Sequence, residues 1–380
     1  MVLCVSNLCT PLTFPSFLST FQLLNGLGML TAYCVNYGTY GIQSTKSWRI
    51  PMGIGYAWAL ILGIGIYLIP ESPRFLYRIG KVDLAQEVMA KYAGVPLNHR
   101  QVVREMNEMK EKQDEEKSTA AWYEVFTGPG MLWRTSIGIT LQALQQLTGA
   151  NFIFFYGNTV FTATGLSNSF ITEIVMGTVN VATGILALWV VHHFRRRVLM
   201  IVGGVCTTIC FLNFASIGHF VLDRENPQNT PRAGAAMIIF ACLFIVSYGL
   251  SWGPVVWVIC GELYPTRHRA VCVSLTTAAN WTSNFLFCLF TPFLAGAIDF
   301  RYGYVFCGCC ATGTIVTYFF VNETHGRTLE EVDTMYVTRV LPWKSKNWVP
   351  PRVLRGEPDE VAASDGHGEP SGSHNPTNSS

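Results

Sequence analysis

The stretch LQALQQLTGANFIFFYG, Leu141–Gly157, sits inside a run from Thr135 to Thr172 that contains no Asp, Glu, Lys or Arg. A hydrocarbon core about 30 Å thick is crossed by about 20 helical residues. The run is therefore long enough to span a bilayer, yet it carries four amide side chains, Gln142, Gln145, Gln146 and Asn151. Polar groups facing lipid are costly, so these amides point to a helix that faces a cavity or other helices. Further uncharged runs occupy Val2–Thr45, Ile50–Pro70, Ile174–Val191, Val198–Leu222, Ala233–Gly261, Ala270–Ile298 and Tyr302–Asn322.

Each run holds one span, which predicts about eight transmembrane helices and an all-α polytopic membrane protein. The composition agrees: 50% of the 380 residues are hydrophobic and 13% charged, against about 25% charged in soluble domains. Closed β-barrels also span membranes, but their strands alternate apolar and polar residues, and no such alternation is present. A net charge of +2 gives no reason to expect a nucleic-acid partner. The 12 cysteines lie mostly in or beside the apolar runs, and CGCC, Cys307–Cys310, lacks a partner pair at zinc spacing. No metal or cofactor is expected. MVLCVSNLCT, the first ten residues, lacks the basic start of a signal peptide.

Short loops rich in Lys and Arg stay in the cytoplasm. HHFRRRV, His192–Val198, and TRHRA, Thr266–Ala270, are basic and two spans apart, whereas TATGLSNS around Gly165 has no basic residue. Both basic loops are accordingly assigned to the inside, as are both termini. Lys46, Arg49, Arg224 and Arg232 fall outside and weaken this bias without reversing it. Five segments follow: an atypical start at 1–16, two helices within 17–70, a cytoplasmic insert at 71–134, a six-helix bundle within 135–322 and a cytoplasmic tail at 323–380. The insert interleaves acids and bases with apolar residues at helical spacing, the pattern of short amphipathic helices. After about residue 350 the tail is rich in Gly, Pro, Ser, Asp and Asn and is expected to be disordered.

At about 100° per residue, Gln145 lies about 60° to one side of Gln142 and Gln146 about 40° to the other, forming one stripe. Asn151 falls about 180° away and joins the stripe only if the helix breaks, which Gly149 allows. Other polar residues stand in apolar surroundings. Gln22 and Asn180 are each isolated; Asn280, Trp281 and Asn284 stand together in NWTSN; and Trp257 follows a Gly253-Pro254 hinge. A single such residue more often makes an interhelical hydrogen bond. Together, amides that donate and accept, with indoles that pack on C–H surfaces, suit a neutral sugar or polyol.

PESPRFL (Pro70–Leu76), LQQLTGANFIFFYG, WGPVVWVICGELYPTRHRA, NWTSN and NETHGRTLEEVD occur in the order and spacing of the sugar porter family of the major facilitator superfamily. Over about Phe17–Tyr336 the chain resembles fungal hexose transporters. The resemblance implies two six-helix bundles, alternating access and a central sugar site. It assigns sugar contact to Gln22, Gln145, Gln146, Asn151, Asn180, Trp257, Asn280 and Trp281, with Gln142 and Asn284 close by, and an outer gate to Tyr156. It also implies cytoplasmic gate ion pairs among Glu71, Arg74, Arg196, Arg197, Glu262, Arg267 and Glu323.

The sequence departs from that pattern in two places. It begins where the fifth family helix begins, with Pro15-Ser16 in place of an Arg-Gly pair, so helices 5–12 are expected and the first four are expected to be missing through truncation. His192 and Arg195 replace an acid and a glycine ahead of the paired arginines, which puts gate stability in doubt. The expected function is monosaccharide transport at the plasma membrane, of glucose-like hexoses, facilitated or proton-coupled, by a protein for which a monomer suffices. The alternatives are a non-transporting glucose sensor or an inactive truncated product. An enzyme is not expected: no catalytic Ser/His/Asp set or phosphate-cradling glycine loop is visible.

Overall fold

The computed structural model describes residues 14–117, 124–128, 130–154, 169–223, 230–265 and 268–349, and these are helical with short connections. Tyr156, Arg267, the first 13 residues and the tail beyond residue 349 lie outside the described residues. The first helix, α1 (Phe14–Tyr40), packs lengthwise on a later one; α2 (Lys46–Leu68) follows it after a short turn. Pro15 falls in the first turn of α1, where its missing N–H leaves no helical bond unmade. None of the side chains of α2 is buried. An apolar surface of that extent is stable only against lipid or other helices.

The insert folds as the short helices its pattern predicts: α3 (Pro73–Arg78), α4 (Val82–Ala93), α5 (Arg100–Lys117) and α6 (Glu124–Thr127). Met89, Ala90, Val102 and Met109 form a small apolar cluster between α4 and α5. Gly94 ends α4 in the left-handed conformation, φ 65°, and its N–H reaches back to Ala90 and Lys91.

The rest is a bundle of α7 (Met131–Leu147), α8 (Ser169–His193), α9 (Arg196–Ser216, continuing as a π-turn over Ile217–Val221), α10 (Pro231–Leu250), α11 (Trp252–Glu262), α12 (Arg269–Ile298) and α13 (Tyr302–Phe320). α14 (Leu329–Val337), begun by a capping box of Thr328 and Glu331, folds back on it. Among the described residues six helical stretches are long and apolar enough to cross a membrane: 46–68, 170–193, 196–221, 231–262, 269–298 and 302–320. The other two expected spans are α1, which carries Gln22, Asn25 and Asn36, and α7, which runs 17 residues before it is interrupted.

Two interruptions shape the bundle. Gly149 has φ +83°, ending α7 and starting a new turn over residues 150–154. A Cβ there would lie 2.7 Å from ring atoms of both Phe211 and Phe306, so glycine is required by space as well as by backbone. The second break separates α10 from α11 at Ser251, φ −127° and ψ −88°, two residues before the Gly253-Pro254 hinge expected from sequence. Pro254 thereby enters the first turn of α11, where a missing N–H is harmless.

The core has two halves either side of the Gly149 break. On one side Phe152, Phe211, Phe244, Phe287, Tyr302 and Phe306 interlock, with Tyr302–Phe306 centroids 4.4 Å and Phe211–Phe244 4.6 Å apart. On the other, Leu141, Val255, Ile259, Tyr264, Cys272, Val332 and Met335 pack together. Trp252 joins this half, 1% exposed, its indole N–H donating to the Met200 carbonyl at 3.1 Å. α1 meets α8 across small residues: at Gly184 a Cβ would stand 3.3 Å from the Leu23 Cα, and at Gly26 3.2 Å from the Asn180 amide. Close backbone approach of this kind substitutes for the hydrophobic effect between membrane helices.

Candidate functional site

Every side chain of the α7 amide stripe makes at least one hydrogen bond. Asn280 of α12, 2% exposed, donates through Nδ2 to Gln142 Oε1 at 2.7 Å and to Gln145 Oε1 at 3.0 Å. Its own Oδ1 accepts from Gln146 Nε2 at 2.8 Å. Gln146 Oε1 in turn accepts from Asn151 Nδ2 at 2.7 Å and from Asn284 Nδ2 at 3.1 Å. Gln145 Nε2 donates to the carbonyls of Trp252 and Gly253, 2.8 and 2.9 Å away, which ties the stripe to the start of α11. Six amides on two helices and the short turn after Gly149 therefore form one network. The break places Asn151 within reach of Gln146, which an unbroken helix does not allow.

Gln142, Gln145 and Asn280 are buried, while Gln146, Asn151 and Asn284 are half-buried and form the accessible side. Gln142 Nε2 is buried without a hydrogen-bond partner, a donor whose desolvation is uncompensated at a cost of about 1–3 kcal/mol. Each amide–amide bond contributes only about 0.5–1.5 kcal/mol net. A ligand with several hydroxyls can exchange the bonds of the half-buried Gln146, Asn151 and Asn284 for its own at little net cost. The arrangement offers no nucleophile, acid or base in the network; what it can do is bind reversibly.

The remaining sequence-derived positions are placed differently. Gln22 of α1 is half-buried with its Nε2 close to Gly253, and Asn180 of α8 is 8% exposed and packs against Gly26. Both lie on the facing surfaces of α1, α8 and α11 rather than in the amide network. Trp257 is half-buried in α11. Trp281 is 65% exposed; one residue on from Asn280 it points about 100° away, and it makes no part of the network. Tyr156 lies outside the described residues.

At the far end of the bundle the charged residues form a second constellation. The Arg196 guanidinium pairs with Glu262 and its backbone N–H donates to Glu323 Oε1 at 3.1 Å; Thr324 Oγ1 accepts from Arg196 at 3.3 Å. Arg197 donates to the Tyr318 carbonyl at 2.7 Å and lies over the Tyr318 ring. Glu71 is exposed and Arg74 is half-buried, Arg74 in α3 and Glu71 just ahead of it. Arg267 lies outside the described residues. Burial, then the Arg196 charge, holds the His325 imidazole below its ordinary range, with Glu323 opposing.

Sequence reasoning missed the partner of α7. Arg134, placed at the edge of the insert, lies inside α7, 1% exposed; it donates to Asp333 Oδ1 at 2.5 Å and to the Asp333 carbonyl at 2.9 Å, and lies over the Tyr336 ring. The missed signal is a lone arginine one turn into an apolar helix. The tail is also fastened: Glu323 N–H donates to Ser345 Oγ at 3.0 Å, and Arg327 donates to the Ser345 and Trp348 carbonyls.

Known proteins share this architecture. The family model described as "Sugar (and other) transporter" matches residues 7–336. The low-affinity glucose transporter HXT1 of Saccharomyces cerevisiae is 42% identical over 340 residues, 88% of this chain and 60% of that protein. The probable high-affinity hexose transporter ght7 of Schizosaccharomyces pombe is 41% identical over 332 residues, 86% of this chain and 64% of that protein. The chain thus spans less than two thirds of the length of these relatives. Among solved structures, the major facilitator superfamily proton:xylose symporter XylE bound to 6-bromo-6-deoxy-D-glucose matches with a TM-score of 0.68 at 24% identity, covering 87% of this chain and 69% of that one. The inward-open xylose transporter XylE from E. coli matches with a TM-score of 0.66 at 22% identity, covering 83% and 64%. With the family model covering most of its length, the chain belongs to the sugar transporter family, shares the fold of these major facilitator superfamily structures and is a multi-pass membrane protein.

Proposed function

We propose that this chain binds a monosaccharide, a glucose-like hexose, and takes part in moving it across the plasma membrane by alternating access, with protons as the candidate co-substrate. The observation that carries this reading is the amide network of Gln142, Gln145, Gln146, Asn151, Asn280 and Asn284, buried on one side and accessible on the other. The glucose and hexose transporters named above, more than 40% identical, support the substrate class. Gln22, Asn180, Trp257 and Trp281 complete the site as positions that close on sugar from α1, α8, α11 and α12, and Tyr156 as the outer gate. Residues 17–70 supply two helices of one bundle, 71–134 a cytoplasmic insert and 135–322 the second bundle, with both termini inside.

The charged constellation of Arg196, Arg197, Glu262 and Glu323, joined by Glu71, Arg74 and Arg267, serves as the cytoplasmic gate in this reading. Because such pairs break and re-form, they bias two states a few kcal/mol apart. The test is direct binding: purified chain in detergent is titrated with glucose while intrinsic tryptophan fluorescence is followed, alongside uptake of labelled glucose by cells that lack hexose uptake. Saturable quenching that is weakened at least tenfold in Gln145→Ala supports the proposal. Absence of any saturable signal from a folded protein refutes it.

A further inference from the structure

The segment after α14, TRVLPWKSKNWV (Thr338–Val349), carries Arg339, Lys344 and Lys346, two tryptophans and no acid. Arg339 adopts the left-handed conformation, φ 52°, and its N–H donates to the Tyr336 carbonyl, so α14 stops and the chain turns back toward α13. Pro342–Asn347 then form a short 3-10 helix. In such a helix side chains three apart lie over one another. Pro342 and Ser345 therefore share one edge, Trp343 and Lys346 a second, Lys344 and Asn347 a third. The first edge faces inward: Ser345 is fully buried and accepts the Glu323 N–H, while Arg327 donates to the Ser345 and Trp348 carbonyls and lies over the Trp348 ring. The other two edges face out, with Trp343, Lys344, Lys346 and Asn347 all exposed.

The surface they form continues the end of the spans. Trp343 meets Phe319 edge-on, with centroids 6.4 Å apart. Phe319 lies in the last turn of α13, one of the helices long and apolar enough to cross a membrane. Its neighbour Phe320 meets Trp133 of α7 edge-on at 5.4 Å. These four rings are 40–53% exposed. Exposed aromatics at the ends of spans mark the membrane–water interface, where an indole places an apolar body and a polar N–H at the headgroup level. The acids of the elements packed against the segment are engaged elsewhere: Glu323 accepts the Arg196 N–H and Asp333 pairs with Arg134. Among the described residues Arg339, Lys344 and Lys346 form no salt bridge. Beside the lysines a cleft of about 500 Å³ is lined by Val340, Leu341, Trp343, Lys344, Asn347 and Trp348. Apolar walls with cations and no acid, at headgroup level, fit a ligand with an anionic head and an acyl chain.

We propose that residues 338–349 are an interfacial anchor that binds anionic phospholipid, with Trp343 among the lipid chains' upper carbons and Lys344 and Lys346 on the headgroups. The occupant is the leaflet in which α7 and α13 already end. The inference goes beyond the transport reading and depends neither on it nor on which leaflet is cytoplasmic.

The test uses the full chain reconstituted in phosphatidylcholine vesicles that contain a minority of phosphatidylserine, with bromine on the acyl chains of one lipid or of the other. Bromine quenches tryptophan on contact, and subtracting the signal of Trp343→Phe isolates Trp343 from the other tryptophans. A lysine at an anionic surface is worth about fivefold in binding, so brominated phosphatidylserine should quench Trp343 as though enriched at least about fivefold over its share of the lipid. Lys344→Gln/Lys346→Gln, both at exposed positions, should bring that ratio to about one, with an unchanged thermal midpoint in pure phosphatidylcholine. Excess glycerophosphoserine, the soluble headgroup, should leave the quenching in place. A Trp343 signal quenched by neither lipid, or by each only in proportion to its share, overturns the proposal whatever the variants do. Quenching abolished by the soluble headgroup overturns it too, since the cleft would then be a site for soluble anions.

Discussion

Replacing Gly149 by alanine tests the break on which the amide network depends. The residue sits at φ +83°, and forcing a side chain into the left-handed region costs about 1–2 kcal/mol. Its Cβ would also stand 2.7 Å from Phe211 Cζ and from Phe306 Cγ. Those rings interlock with Phe152, Phe214, Phe244 and Tyr302, so they cannot withdraw without disturbing the cluster, and overpacking of this kind costs about 1–3 kcal/mol. The sum, about 2–5 kcal/mol, corresponds to a fall of roughly 5–15 °C in thermal midpoint for a unit of this size. The assay is thermal unfolding of the purified protein in detergent. The control is Gly28→Ala in α1, where the added Cβ meets nothing within 4 Å and the better helix propensity is worth about 0.5–1 kcal/mol in the stabilising direction. A Gly149→Ala protein that melts with the parent would refute the broken helix and, with it, the delivery of Asn151 to Gln146.

Three further outcomes follow from the same geometry. Asp333→Ala strands the buried Arg134 guanidinium; with Asp333 half-exposed the loss is about 1–3 kcal/mol, and α14 should become protease-sensitive, read as faster cleavage after residue 328 than in the parent. Ser345→Ala removes the acceptor of the Glu323 N–H and should lower stability by about 1 kcal/mol, measured as a small drop in thermal midpoint. His325 is held below its ordinary range by burial and by Arg196; the unfolded chain therefore binds its proton first, so its contribution is present above about pH 6.5 and is lost as pH falls from there toward the folded value. Thermal midpoints taken from about pH 8 down to pH 5 should fall less in His325→Gln than in the parent; parallel curves would contradict this assignment.

What could be read from sequence was local. Gln142, Gln145 and Gln146 share a face because helical periodicity puts them there, Asn280 and Asn284 because four residues make one turn. The Gly149 break was legible because only glycine enters its conformation freely. Distant partners were not legible. Arg134 and Asp333 are 199 positions apart, and nothing in either neighbourhood names the other. Glu173 looked like a divider between spans because charge was used to mark span ends. The loop before it, TATGLSNS, is uncharged, so the true helix start left no charge signal. Trp281 follows Asn280 directly, and because neighbours in a helix diverge by about 100° it stands outside the amide network, 65% exposed.

The central claim is that the amide network is a sugar site and not simply a packing device. Asn280 is its hub, bonded to Gln142, Gln145 and Gln146 at once. The decisive measurement is the equilibrium affinity for glucose of the parent and of Asn280→Ala, each shown to be folded by its thermal midpoint. One lost polar contact is worth about 1–3 kcal/mol, so the account predicts saturable binding to the parent that weakens by about 10- to 100-fold in the variant. Equal affinity in two folded proteins would contradict it.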